Sequence, residues 1–196
     1  WQDVLEKGPQ SDYYHWFCVN RWPIDAQTHA TKQGDYFSFA FVDNMPKFDT
    51  SEPDVMEYLT GIAKHWVCDW KVDGIRFDVG NEISHAFLKH LRLELKKCNP
   101  KLFLLGEIWH DAFPWLLGDE YDSTMNYPFL ACVNNFWADK TQSGTDFMHG
   151  INQCYSMYYE QVDRVLFNLL DSHDTDRLME RCHGNADMFL AQLTVL

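Results

Sequence analysis

Positive charge is scarce in this chain. Sixteen Lys and Arg stand against 29 Asp and Glu, a formal net charge of −13 over 196 residues. Nucleic acids and anionic membrane surfaces are gripped through Lys/Arg patches, so neither is expected as a partner. No apolar run approaches the ~20 residues that span a bilayer, and no secretory leader opens the sequence. A cytoplasmic location is the expectation. Glycine-rich phosphate loops are missing after every strand-like run, which argues against an open doubly wound sheet. The six cysteines (Cys18, Cys68, Cys98, Cys132, Cys154 and Cys182) form no C-x-x-C pair. Reduced, partly buried thiols are expected rather than disulfides or a metal site. No His or Cys has metal-ligand spacing, and nothing calls for a cofactor. Internal repeats and low-complexity linkers are also lacking.

Aromatic rings are plentiful, with 8 Trp, 9 Tyr and 14 Phe, or 16% of the chain. Most are expected in a core, and 196 residues suffice for one of good size. Aromatic faces also stack on the apolar faces of sugar rings.

The rhythm along the chain is strand, turn, helix. An irregular aromatic segment comes first. Ser51 and Pro53 mark a helix start, and Val55, Tyr58, Leu59, Ile62 and Trp66 follow at helical spacing. Residues 72–79 read as a strand. Ser84 caps a helix carrying Phe87, Leu88, Leu91 and Leu95, with Lys96 and Lys97 suited to its C-terminal dipole and Asn99-Pro100 stopping it. Residues 102–105 are continuously apolar, as a strand covered on both faces should be. Further strands are expected at 121–126 and 165–170. Further helices are expected around Phe147, Ile151, Cys154 and Tyr158, and over 185–196. Such alternation predicts α/β class with a parallel sheet. Four strands in 196 residues fit the middle of an eight-stranded barrel, which typically needs about 250. The alternative is an open doubly wound sheet.

Three of these strands end in acids. Asp78 follows the first, Glu107 the second, and His173-Asp174 the last. A glycosidase needs one carboxylate at the anomeric carbon and one carboxylic acid to protonate the leaving oxygen, in surroundings that differ. Arg76 lies two residues before Asp78, on the same strand face, and a cation there favours the ionised form suited to a nucleophile. Ile108 and Trp109 flank Glu107, and apolar neighbours suit a general acid. His173 and Asp174 offer a donor and a further carboxylate for sugar hydroxyls. Asp73 precedes its strand and is expected to be structural.

At these residues the sequence resembles the α-amylase superfamily of glycoside hydrolases. The matching segments are Gly74-Ile-Arg-Phe-Asp-Val-Gly-Asn-Glu82, Gly106-Glu-Ile-Trp-His110 and Leu170-Asp-Ser-His-Asp-Thr175. The resemblance implies Asp78 as nucleophile, Glu107 as acid/base and Asp174 as third acid. It makes Arg76 the residue that orients the nucleophile and His173 a substrate-hydroxyl ligand. Asn81, Glu82, Trp109, His110 and Arg177 join them as candidate substrate contacts. Met45-Pro46-Lys47-Phe48, Asn81-Glu82 and Gly118–Phe129 are similar to the neopullulanase, cyclomaltodextrinase and maltogenic amylase group. Gly80 stands where Ala is usual, a change expected to loosen local packing, and Phe48-Asp49 where Leu-Asn is usual.

The resemblance therefore implies a partial (β/α)8 TIM barrel covering strands four to seven. Residues 1–50 would be the loop region before the fourth strand, and 51–196 the strands with their helices. The implied activity is retaining hydrolysis of α-1,4 links, with α-1,6 links as a second candidate, in cyclodextrin, pullulan or maltodextrin. Calcium binding in the full-length parent stays open. A non-catalytic amylase-like scaffold subunit is the competing class, although such relatives typically lose the catalytic acids. The isolated chain is expected to be inactive and to self-associate as a homo-oligomer, because an opened barrel leaves two sheet edges.

Overall fold

Short strands alternate with helices along the chain. The computed structural model describes residues 1–25 and 34–196; residues 26–33, part of the expected loop region 1–50, lie outside the described residues. Helix α1 (Gln2–Lys7) comes first. It is followed by α2 (Pro53–Cys68), strand β1 (Gly74–Phe77), α3 (His85–Cys98), β2 (Phe103–Gly106), β3 (Ser123–Asn126) and α4 (Tyr127–Trp137). The rest are α5 (Gly144–Ser156), α6 (Glu160–Asp163), β4 (Phe167–Asn168), α7 (Leu178–Arg181) and α8 (Ala186–Leu193). These elements fall into two compact units, residues 1–73 with 82–102, and residues 74–81 with 103–196. No helix among the described residues is long and apolar enough to cross a membrane.

In the first unit, Pro53 sits in the first turn of α2, where its missing N–H costs nothing. The helix buries Val55, Thr60, Ala63 and Val67. The Ser84 side chain caps α3 by accepting from the Phe87 N–H, and α3 buries Phe87, Leu88, Leu91 and Leu95. α2 and α3 pack together, with Lys64 Nζ 2.9 Å from Glu94 Oε2. The N-terminal stretch is tied by isolated antiparallel bridges, Phe17 with Phe48, Val19 with Tyr36 and Ser38 with Pro46.

The second unit holds the sheet. All four strands are parallel, and their spatial order repeats their chain order. A doubly wound sheet would reverse its strand order at a switch point. The observed order is that of consecutive barrel strands. Arg76 pairs with Leu105, Leu105 with Ser123, and Asn126 with Asn168. The strands are shorter than the apolar runs suggest. β1 ends at Phe77 because Val79 turns into the left-handed region at φ 47. Leu169 and Leu170 are buried although they lie beyond the β4 ladder.

Helix α4 goes beyond the sequence reading. Asn126 caps it by accepting from the Phe129 N–H, Pro128 lies in its first turn, and Phe129, Leu130 and Val133 are buried along it. Phe129 and Val133 join Cys154, Leu170, Leu178 and Cys182 in one apolar cluster. Leu130 joins Leu105, Met125, Tyr127 and Leu169 in another.

Candidate active site

Arg76 bridges the first two acids. One terminal nitrogen lies 2.5 Å from Asp78 Oδ1 and the other 2.8 Å from Glu107 Oε1. Strand register brings this about. Arg76 is level with Leu105, so two residues further along each strand Asp78 and Glu107 stand level on the same face. Both lie just past the C-terminal ends of their strands, the edge on which barrel enzymes carry their chemistry.

The two carboxylates differ in surroundings. The Asp78 side chain is 66% exposed and that of Glu107 only 6%. Besides Arg76, Glu107 accepts from the Val79 N–H at 2.9 Å and from Trp109 Nε1 at 3.3 Å. The turn at Val79 is costly for a β-branched residue, yet its N–H serves Glu107. Ile108 and Trp109 do not form the expected apolar flanks. Ile108 is wholly buried, on the opposite face by the period-two rule. Trp109 meets the carboxylate with its N–H. Glu107 is thus enclosed by donors.

Gly80 packs tightly, contrary to the loosening expected from the missing methyl. Its N–H donates to the Glu107 carbonyl at 2.9 Å, and its own carbonyl accepts from the Tyr121 hydroxyl at 3.0 Å. A Cβ there would stand 3.0 Å from Tyr121 Oη and 3.2 Å from Glu107 N. Gly106 is more constrained still, since a Cβ would sit 2.6 Å from the Tyr121 ring.

Tyr127 links these acids to the third, a role the sequence reading missed. Its ring stacks on Trp109 at 4.2 Å and 12°. Its hydroxyl donates to Ser172 Oγ at 3.2 Å, and that oxygen accepts from the Asp174 N–H at 3.2 Å. Burial pushes the Tyr127 phenol up; the Ser172 hydrogen bond opposes that, and the nearby charges of Glu107 and Asp174 add to it. Asp174 Oδ2 lies 3.1 Å from His173 Nε2, with both side chains substantially exposed.

Arg177, His110 and Glu82 are engaged by partners other than the three acids. Arg177 Nη1 lies 3.2 Å from Asp171 Oδ1. His110 Nδ1 lies 2.9 Å from the Asp111 carbonyl oxygen. Asn81 is exposed in the turn after β1. Glu82 falls in the first unit. There it accepts from the Ala40 N–H at 3.1 and 3.2 Å and lies 3.4 Å from Lys47 Nζ. Among the described residues, no cluster of three or more His, Cys, Asp or Glu could hold a metal ion.

The family described as "Alpha amylase, catalytic domain" matches residues 2–196. The chain belongs to the α-amylase family. Its relatives in that family include an intracellular maltogenic amylase of Bacillus subtilis (strain 168), 42% identical over 185 residues. That alignment covers 94% of this chain and 30% of the relative. Neopullulanase 2 of Thermoactinomyces vulgaris is 42% identical over 200 residues, covering 100% of this chain and 33% of the relative. A solved cyclomaltodextrinase superposes with a TM-score of 0.93 at 37% identity, covering 99% of this chain and 33% of the other. The chain thus spans about a third of the length of the relatives it matches. These α-amylase relatives carry the names of glycosidases.

Proposed function

We propose that the parent of this chain is a retaining hydrolase of α-glucans, with Asp78 as nucleophile, Glu107 as acid/base and Asp174 as the third acid. The observation that carries the reading is the single guanidinium of Arg76 shared by Asp78 and Glu107. Level residues on neighbouring strands lie about 4.8 Å apart, and retaining glycosidases hold their two carboxyl groups about 5–5.5 Å apart. The exposed Asp78 can reach an anomeric carbon. Glu107, buried and fixed by donors, is held where it can give a proton to the leaving oxygen and then activate water. Trp109 is half exposed and backed by Tyr127, which gives it a rigid face for a sugar ring. The names of the relatives support cyclodextrin, pullulan or maltodextrin as substrate, and one relative's name supports an intracellular site.

The parent enzyme tests this directly. Asp78→Asn should abolish trapping of a covalent glycosyl-enzyme. Glu107→Gln should cost about 10²–10⁴-fold on cyclodextrin while sparing an aryl α-glucoside, whose good leaving group needs little protonation. Equal losses on both substrates would remove Glu107 from the acid role. Activity retained on both substrates in both variants would remove the two acids from the chemistry, and an unsubstituted parent inactive on both would favour the scaffold reading.

A further inference from the structure

The last residue of α2 is Cys68 and the last residue of α3 is Cys98. One turn earlier on each helix, Lys64 and Glu94 meet at 2.9 Å. The same step of four along both helices brings the two cysteines together, and the Cys68 thiol shares a side-chain hydrogen bond with Cys98. Cys98 is exposed and Cys68 half-buried, whereas Cys132, Cys154 and Cys182 are buried. This pair is therefore open to a small reagent from solvent. That thiol–thiol hydrogen bond pushes the Cys68 thiol up, with burial adding to it and Lys71 opposing it. The more exposed Cys98 is the one a reagent in solvent meets first.

We propose that Cys68 and Cys98 form a redox site that reacts with a low-molecular-weight disulfide and closes into an intramolecular disulfide joining the ends of α2 and α3. In the first step the Cys98 thiolate attacks one sulfur of the reagent. A mixed disulfide forms, the reagent S–S bond breaks, and one small thiol leaves with the proton Cys98 gave up. In the second step Cys68 loses its proton and attacks the Cys98 sulfur of the mixed disulfide. The protein S–S bond forms and a second small thiol leaves carrying that proton. Two thiols of the protein are oxidised and one reagent disulfide is reduced to two thiols. The closed loop contains β1 and Asp78, so the cross-link narrows the unfolded ensemble around that segment.

The test equilibrates the full chain with oxidised and reduced glutathione, blocks free thiols by alkylation, and maps the peptides by mass. A Cys68–Cys98 cross-link is expected as the main product, lighter by two hydrogens, reversed by dithiothreitol, and melting about 5–10 °C higher. Cys68→Ser should stop at a stable glutathione adduct on Cys98, and Cys98→Ser should give no cross-link. A wild-type chain that accumulates the Cys98 adduct, or that links either cysteine elsewhere, overturns the proposal. A cross-linked form that melts no higher shows that the helix ends were not already in bonding geometry, and overturns it too.

Discussion

Arg76 faces two carboxylates at once through separate nitrogens of one planar group. A lysine presents a single point charge and cannot hold both in that geometry. Arg76→Lys in the parent enzyme is expected to lower kcat roughly 10²-fold, the scale for losing one preorganised donor, with a smaller change in KM. Unchanged kcat would detach Arg76 from the chemistry. Tyr127→Phe keeps the stack on Trp109 but removes the bond to Ser172. It should cost about 1 kcal/mol of stability by thermal unfolding. The acids themselves were legible in the sequence because a carboxylate closing an apolar run is a local pattern. The second bond of Arg76, to Glu107, was not, because it depends on register between strands 29 residues apart in pairing, Arg76 with Leu105. Tyr127 and Ser172 were missed for the same reason: a stack and a hydroxyl contact leave no trace in spacing.

Elements differ in how they tolerate an added methyl. Gly61 lies inside α2 with nothing within 4 Å of a Cβ, so Gly61→Ala should stabilise by about 0.5–1 kcal/mol through helix propensity. In β2, Gly106→Ala would drive a methyl into the Tyr121 ring and should destabilise by roughly 1–3 kcal/mol. Paired melting curves of the two variants check both signs. The α2–α3 contact has its own pH dependence. The Lys97 and Lys64 ammonium groups hold the Glu94 carboxyl at about 2, below its ordinary 4.5. Because the folded value is the lower one, the contribution is present above about 4.5 and is lost as pH falls toward 2. Glu94→Gln should therefore flatten the loss of melting temperature across that window. The start of α3 was readable from its Ser84 cap, and that of α2 from Pro53 in its first turn. Helix α4 was not read, although Asn126 and Pro128 are start signals. Its run Phe129-Leu130-Ala131-Cys132-Val133 is continuously apolar, with even the exposed Ala131 apolar, so it lacks the alternation of polar and apolar residues by which helices are recognised.

At the scale of the molecule, strand order decides between the two sheet architectures that alternation alone leaves open. Chain order equals spatial order, a fact of pairing that no single segment encodes. Among the described residues β1 and β4 each pair on one side only, and Phe167 in β4 is 49% exposed. The 196-residue chain on its own is expected to self-associate through such edges, and to turn over no cyclodextrin. Sedimentation equilibrium at micromolar concentration tests the first expectation, and a clean monomer would refute it. Parallel strands also give the sheet two unlike rims. Asp78, Glu107 and Asp174 all follow the C-terminal ends of their strands, on one rim, about 13 Å (four residues of strand) from the other. Arg164, three residues before β4, sits on the far rim with a 74% exposed side chain. For anyone wishing to fix the enzyme to a solid support, Arg164→Cys offers an anchoring point. Coupled there, the molecule would stand on its handle with the rim of the three acids turned toward the liquid.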